Sequence, residues 1–226
     1  MDGTLLDTDP AEADAFFEMW RFVTGEPCPS DALAVFTDEL DAISRAWDEG
    51  LIPASELGGP AIRKAAQKAG LPAHPSQVPA LEEIYLKVTV SHGRLFSEVP
   101  ACLERLSGAL PLAILTNGPS TLQRRKVQRA GLDRWFDVIH ISGDSGVAKP
   151  EAGAFERLAD AVGCAPSRMG FIGDSPGSDI LGASRAKMRA VWINRYEERY
   201  PARLPAPWAV ATDLVAAIDA LTRFAT

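Results

Sequence analysis

The sequence predicts an α/β fold: a parallel sheet covered by helices on both faces, joined to a small all-helical unit. Three observations lead there. From residue 111 onward, short apolar runs alternate with stretches of helical period, the pattern of parallel strands linked by crossover helices. Residues 10 to about 92 contain helix-period segments and no convincing strand. Polar clusters, Thr116-Asn117-Gly118 and Gly173-Asp174-Ser175, fall directly after apolar runs, where open parallel sheets bind ligands.

In order along the chain, Ala11 to Val23 places Ala15, Phe16, Met19, Trp20 and Val23 at helical spacing and stops at Gly25-Glu26-Pro27. Asp31 to Trp47 repeats the pattern with Leu33, Phe36, Leu40, Ile43 and Trp47. A third helix is expected over Pro60 to Ala69, ended by Gly70 and Pro72, and a fourth over Val78 to Val90. The junctions are Thr8-Asp9-Pro10 and His92-Gly93-Arg94. Beyond them, strands are expected at 111–116, 138–141, 169–173 and 190–193, with a last one including 209–211. Helices are expected at Ser120–Ala130, Glu151–Val162, Asp179–Lys187 and Leu214–Leu221.

Composition narrows the function classes. The chain has 226 residues, a formal net charge of −7 and 46% hydrophobic residues, values of an ordinary globular protein. An acidic chain repels a phosphate backbone, so nucleic-acid binding would need a local basic patch. Arg124-Arg125-Lys126 with Arg129 is the nearest one, and on a helix it reads as a solvated face. Cys28, Cys102 and Cys164 are few and far apart, which fits reduced thiols rather than disulfides or a zinc site. No apolar run approaches the ~18 residues of a membrane span, and no signal pattern opens the chain. A cytoplasmic protein with no nucleic-acid or membrane partner, monomeric or homodimeric, is the expectation.

Each polar cluster has a chemical reading. Asp174 and Asp179, in Gly-Asp-Ser-Pro-Gly-Ser-Asp, are carboxylates suited to a hard divalent cation; Asp179 would serve equally as the cap of the helix that follows. Thr116, Asn117 and Gly118 offer a hydroxyl, an amide and an unhindered N–H to a phosphoryl oxygen, but Thr-Asn-Gly is also a common turn. Lys149 precedes Pro150 at a helix start; alone, it would be a surface lysine. Asp2-Gly3-Thr4 opens the chain with an acid, a flexible residue and a hydroxyl.

Taken in order, Asp2-Gly3-Thr4, Thr116-Asn117-Gly118, Lys149-Pro150 and Gly173-Asp174-Ser175 with Asp179 resemble the four motifs of the haloacid dehalogenase-like (HAD) hydrolases. The resemblance covers essentially the whole chain. It implies a Rossmann-like core formed by residues 1–9 and 93–226, with residues 10–92 as an inserted helical cap. It assigns Mg²⁺ to the carbonyl of Asp2, to Asp174 and, in support, to Asp179. It makes Asp2 the general acid–base, Thr116 and Lys149 catalytic partners, and Gly3, Thr4, Asn117 and Gly118 phosphate-binding residues. An acid at Asp2, rather than an apolar residue, implies phosphatase rather than dehalogenase chemistry. The substrate would be a small phosphorylated metabolite of sugar-phosphate or nucleotide type.

The family's first motif reads Asp-x-Asp-Gly-Thr, and here Met1 stands at x. The nucleophilic Asp and the apolar strand it closes are therefore absent from the sequence. The expectation is a misplaced start, an inactive product as written, and a sheet with an opening where the first strand belongs. The alternative is a non-catalytic phosphate-binding or scaffold protein. Lys187, where many relatives have Gly, is a departure that touches packing rather than chemistry.

Overall fold

The computed structural model describes residues 1–48 and 51–223. The chain divides into two compact units, Thr8–Arg94 and Met1–Asp7 with Leu95–Thr226.

The Thr8–Arg94 unit holds the α-helices Asp9–Thr24, Ser30–Asp48, Gly59–Lys68 and Val78–His92. Its core follows the sequence periodicity. Phe16 and Phe36 are fully buried and stack at 4.1 Å between ring centroids, with Met19, Ile62, Ala65 and Leu81 around them. Pro10 sits in the first turn of the first helix, and Gly25 ends it in the left-handed conformation at φ 73°, where a glycine carries no Cβ penalty.

The other unit is built on parallel strands. Ala113–Thr116 pairs in parallel with Val138–Ile141. Gly170–Gly173 pairs with Arg189–Ile193, which in turn pairs with Ala209–Ala211, all in parallel. Successive side chains point to opposite faces, so Val191 and Ile193 enter one core with Leu214, Ala217 and Ile218. Ala190 and Trp192 enter another with Phe155, Leu158 and Ile180. Among the described residues the two sets of strands are not hydrogen-bonded to each other. An apolar cavity of about 180 Å³ is lined by Ile114 and Leu115 of one set, Phe171 and Ile172 of the other, and Met1 and Leu5.

Three elements differ from the expectation. The strand expected at 111–116 begins at Ala113 rather than Pro111, because proline has no N–H to donate to a ladder; the Leu112 N–H goes instead to the Asp137 carboxylate at 3.0 Å. The helix expected over 179–187 is a π-helical turn, Pro176–Ile180, followed by a short α-helix, Leu181–Arg185. The helix Val99–Leu106 was missed, although Val99, Cys102 and Leu103 sit on one helical face and are buried. No helix among the described residues is long and apolar enough to cross a membrane, and the three cysteines are free thiols.

Candidate active site

The strand ends gather the site. Thr116 is the last residue of its strand, and Asp174 follows Gly173, the last of another. The loop Met1–Leu6 lies against them. Its shape is set by the Leu5 and Leu6 N–H groups, both donating to the Met1 carbonyl at 2.8 and 3.1 Å, and by Gly3 N–H donating to Leu6 at 2.9 Å. Gly3 has φ +66°, and a Cβ there would stand 2.3 Å from Asp174 Oδ2. Only glycine fits both the conformation and the approach. Thr4 Oγ1 then donates to Asp174 Oδ1 at 2.6 Å.

The Asp2 carboxylate is held by the helix Ser120–Arg129. Lys126 Nζ donates to Oδ1 at 2.9 Å and Gln123 Nε2 to Oδ2 at 3.2 Å. Burial acts to raise the Asp2 pKa, but the Lys126 ammonium, the Met1 amino group and these hydrogen bonds outweigh it, leaving the carboxyl below its usual range. Lys126 corrects the sequence reading of a solvated basic face. Its side chain is only 12% exposed and ion-paired, whereas Arg124 on the same helix is 56% exposed and pairs with Asp144.

Gln123 also donates to Thr116 Oγ1 at 3.1 Å and to the Asn117 carbonyl at 2.6 Å. The Asn117 side chain clamps the backbone of Lys149: Nδ2 donates to the Lys149 carbonyl and Oδ1 accepts its N–H, each at 2.9 Å. Gly118 N–H donates to Ser142 Oγ at 3.0 Å. The Asn117 amide and the Gly118 N–H, both expected to face a phosphoryl group, are thus engaged in shaping the loop.

Lys149 and Asp179 are side chains with 8% and 4% exposure, joined at 2.6 Å from Nζ to Oδ1. Asp179 Oδ2 accepts the Ser175 N–H at 3.1 Å. The capping role belongs to Ser175, whose Oγ accepts the Ser178 N–H. The π-turn lets Asp179 point back toward the strand end, a use of π geometry common at functional sites.

Asp174 is different. Burial and then the neighbouring charge of Asp179 push its pKa up, against weaker pulls from the Met1 amino group, Thr4 and Lys149. Two close carboxylates at a strand end, one of them strained when ionised, make a donor set that fits a hard cation. Among the described residues no three His, Cys, Asp or Glu side chains converge as a ready-made metal cage. The Met1 amino group is buried beside Lys149, Asp174, Asp179 and Asp2.

The model of the haloacid dehalogenase-like hydrolases matches residues 1–187. The chain belongs to that family. Several curated relatives are phosphatases. A phosphoserine phosphatase of Thermus thermophilus is 35% identical over 170 residues, 73% of this chain and 67% of that protein. A pyrimidine 5′-nucleotidase of Escherichia coli is 34% identical over 111 residues, 49% of each chain. The solved structure of a Bacillus subtilis HAD-hydrolase bound to magnesium superposes with a TM-score of 0.85, over 98% of this chain and 96% of that one, at 24% identity; that likeness is one of fold.

Four contributors escaped the sequence reading: Gln123, Lys126, Ser142 and Arg195. The first two lie on one face of a helix, at i and i+3, seven and ten residues beyond Thr116. That spacing was the available signal. Arg195 carried none: its bonds to the loop go to backbone carbonyls 191 and 192 residues away, and no motif contains its ion-pair partner Glu98.

Proposed function

We propose that this protein hydrolyses a small phosphate monoester, of sugar-phosphate or nucleotide type, with Mg²⁺ and through an aspartyl-phosphate intermediate. The observation that carries the reading is the buried Lys149–Asp179 pair beside Asp174, at the same strand ends as Asp2 and Thr116. On this reading Asp174 holds the cation, Asp179 supports it, and the Asp2 carbonyl contributes. The ion supplies positive charge to the phosphoryl oxygens. Lys149 adds a second fixed positive charge, and charge and positioning dominate phosphoryl transfer. Thr116 Oγ1 accepts from Gln123 and donates to the Asn117 carbonyl at 3.5 Å, a long bond that a phosphoryl oxygen would replace, with Gly3, Thr4, Asn117 and Gly118 around it.

On this reading the attacking carboxylate is the leading Asp of the family's first motif, Asp-x-Asp-Gly-Thr, in which Met1 stands at x. Its oxygen attacks phosphorus; Asp2, which takes up a proton as the substrate's negative charge arrives beside it, passes that proton to the leaving ester oxygen and, ionised again, takes one from the water that attacks the acyl phosphate and releases phosphate. Lys126 and Gln123 favour the ionised form of Asp2, the form required of the base in the second step.

The test is phosphate release with Mg²⁺ from a panel of sugar phosphates, nucleotides and phosphoserine. One protein begins at Met1, and a second carries an added apolar strand ending in Asp. Turnover by the second, little by the first, and loss on Asp2→Asn is the expected result. Robust turnover by the first protein, abolished by Asp2→Asn, would show that the nucleophile is misassigned.

A further inference from the structure

The Thr4–Asp174 hydrogen bond joins two segments, and the stretch Trp192–Arg195 holds both of them. Trp192 Nε1 donates to the Asp174 carbonyl at 2.8 Å. Three residues on, Arg195 Nε donates to the Gly3 carbonyl at 3.3 Å and Nη2 to the Thr4 carbonyl at 3.0 Å. The guanidinium is fixed in turn. Nη2 pairs with Glu98 Oε1 at 2.8 Å, the two side chains being 11% and 19% exposed, and Cζ lies 3.6 Å from the Phe96 ring centroid. The Phe96 N–H donates to the Leu5 carbonyl at 3.1 Å, so the platform under the guanidinium is bonded to the same loop. Burial acts to raise the Glu98 pKa, but backbone donors and Arg195 overcome it and keep Glu98 ionised below its usual range.

This is more than one arginine needs for its own charge. A planar fork with several fixed donors can hold two successive carbonyls and a carboxylate at once, which a lysine ammonium cannot. Gly3 has only main-chain hydrogen bonds to hold its close approach to Asp174, because it has no side chain to pack.

We propose that Arg195 is a positioning residue for the Asp2-Gly3-Thr4 loop: it sets the spacing between that loop and Asp174, and through it the affinity of the site for a divalent cation. The second half of the statement rests on the reading of Asp174 as a metal ligand; the first half does not.

The experiment uses Arg195→Met, Arg195→Lys and Glu98→Gln in the whole chain. It has two readouts, amide hydrogen exchange at Gly3, Leu5 and Leu6, and Mg²⁺ titration by calorimetry. Loss of charge-assisted bonds to a locally opening segment speeds its exchange by about tenfold or more, so Arg195→Met is expected to do this in the loop while Val191–Ile193 exchange as before. Mg²⁺ affinity falls about tenfold alongside, on the scale seen when groups that orient metal ligands are removed. Arg195→Lys lies between, and covers the case in which the Met variant does not fold. Glu98→Gln keeps both carbonyl bonds and changes loop exchange less than Arg195→Lys does. Unchanged loop exchange in both Arg195 variants overturns the proposal, and so does a generally loosened protein with no excess at the loop. Faster loop exchange with unchanged Mg²⁺ affinity overturns the link to the cation. If the unaltered protein binds no Mg²⁺, it is the metal reading that fails, and the exchange data still decide the role of Arg195.

Discussion

Two acids lie at the same strand ends and are treated in opposite ways. Asp2 has a cation on one carboxylate oxygen and an amide donor on the other, and its pKa falls. Asp174 has a hydroxyl donor and a second buried carboxylate for a neighbour, and its pKa rises. The protein satisfies the charge of Asp2 from its own side chains. For Asp174, burial and the Asp179 charge outweigh the help it receives from Thr4 and Lys149. On the proposed function, the difference would separate an acid that exchanges protons from one that takes a cation, and it is invisible in the residue type.

The third acid gives the largest expected effect. Asp179 depends on Lys149, and both are buried. Lys149→Met should destabilise the protein by about 3–5 kcal/mol, the usual cost of leaving a buried charge unpaired. Lys126→Met, which frees an Asp2 side chain that is 31% exposed, should cost about 1 kcal/mol. Urea denaturation of both variants measures the contrast, and equal losses would break it.

Asp174→Asn should stabilise the metal-free protein by about 1–2 kcal/mol near neutral pH, because the amide keeps the Thr4 bond and removes the repulsion. The sign follows from the raised pKa. The folded state binds the proton more tightly, so the penalty of an ionised Asp174 is absent below the unfolded pKa and grows as pH rises through the folded one. The advantage of the Asn variant should therefore fade on acidification. For Asp2, whose pKa is lowered, the linkage runs the other way: its contribution is present above the unfolded pKa and is lost as pH falls through the folded one. Melting temperatures across a pH series should show opposite slopes for Asp174→Asn and Asp2→Asn, each relative to the unaltered protein.

A smaller effect is expected away from the site. Lys187 is exposed and has φ +64°, so a side chain is held in the left-handed region. Lys187→Gly should stabilise by about 1 kcal/mol, read as a raised denaturation midpoint. Smallest of all, Arg124→Ala should change stability by less than about 0.5 kcal/mol, since both partners of its ion pair with Asp144 are more than a third exposed.

The sequence made the α/β class readable, because alternation of strand and helix period is a local property that packing on two faces preserves. Val138–Ile141 and Ala209–Ala211 come out at the expected residues. Boundaries drifted where one backbone group decided them, as at Pro111 and in the turn Pro176–Ile180. The spacing of the motifs pointed to Asp2, Thr116, Lys149, Asp174 and Asp179 as neighbours of the strand ends. It could not tell Asp2 from Asp174, since that distinction depends on Lys126, Gln123 and Thr4 arriving from other elements. Nor could it find Arg195, whose bonds to the loop go to main-chain carbonyls with no sequence signature.

Calorimetric titration of Mg²⁺ into the unaltered chain, Asp174→Asn and Asp2→Asn tests the contrast between the two acids most directly. One site is expected in the unaltered chain. Affinity should fall by about tenfold or more in Asp174→Asn, where a carboxylate ligand is lost. In Asp2→Asn it should stay within about threefold, because the side chain there is already engaged by Lys126 and Gln123 and the backbone carbonyl is kept. Equal binding by the unaltered chain and Asp174→Asn, or loss in Asp2→Asn alone, would contradict the assignment of the cation to Asp174.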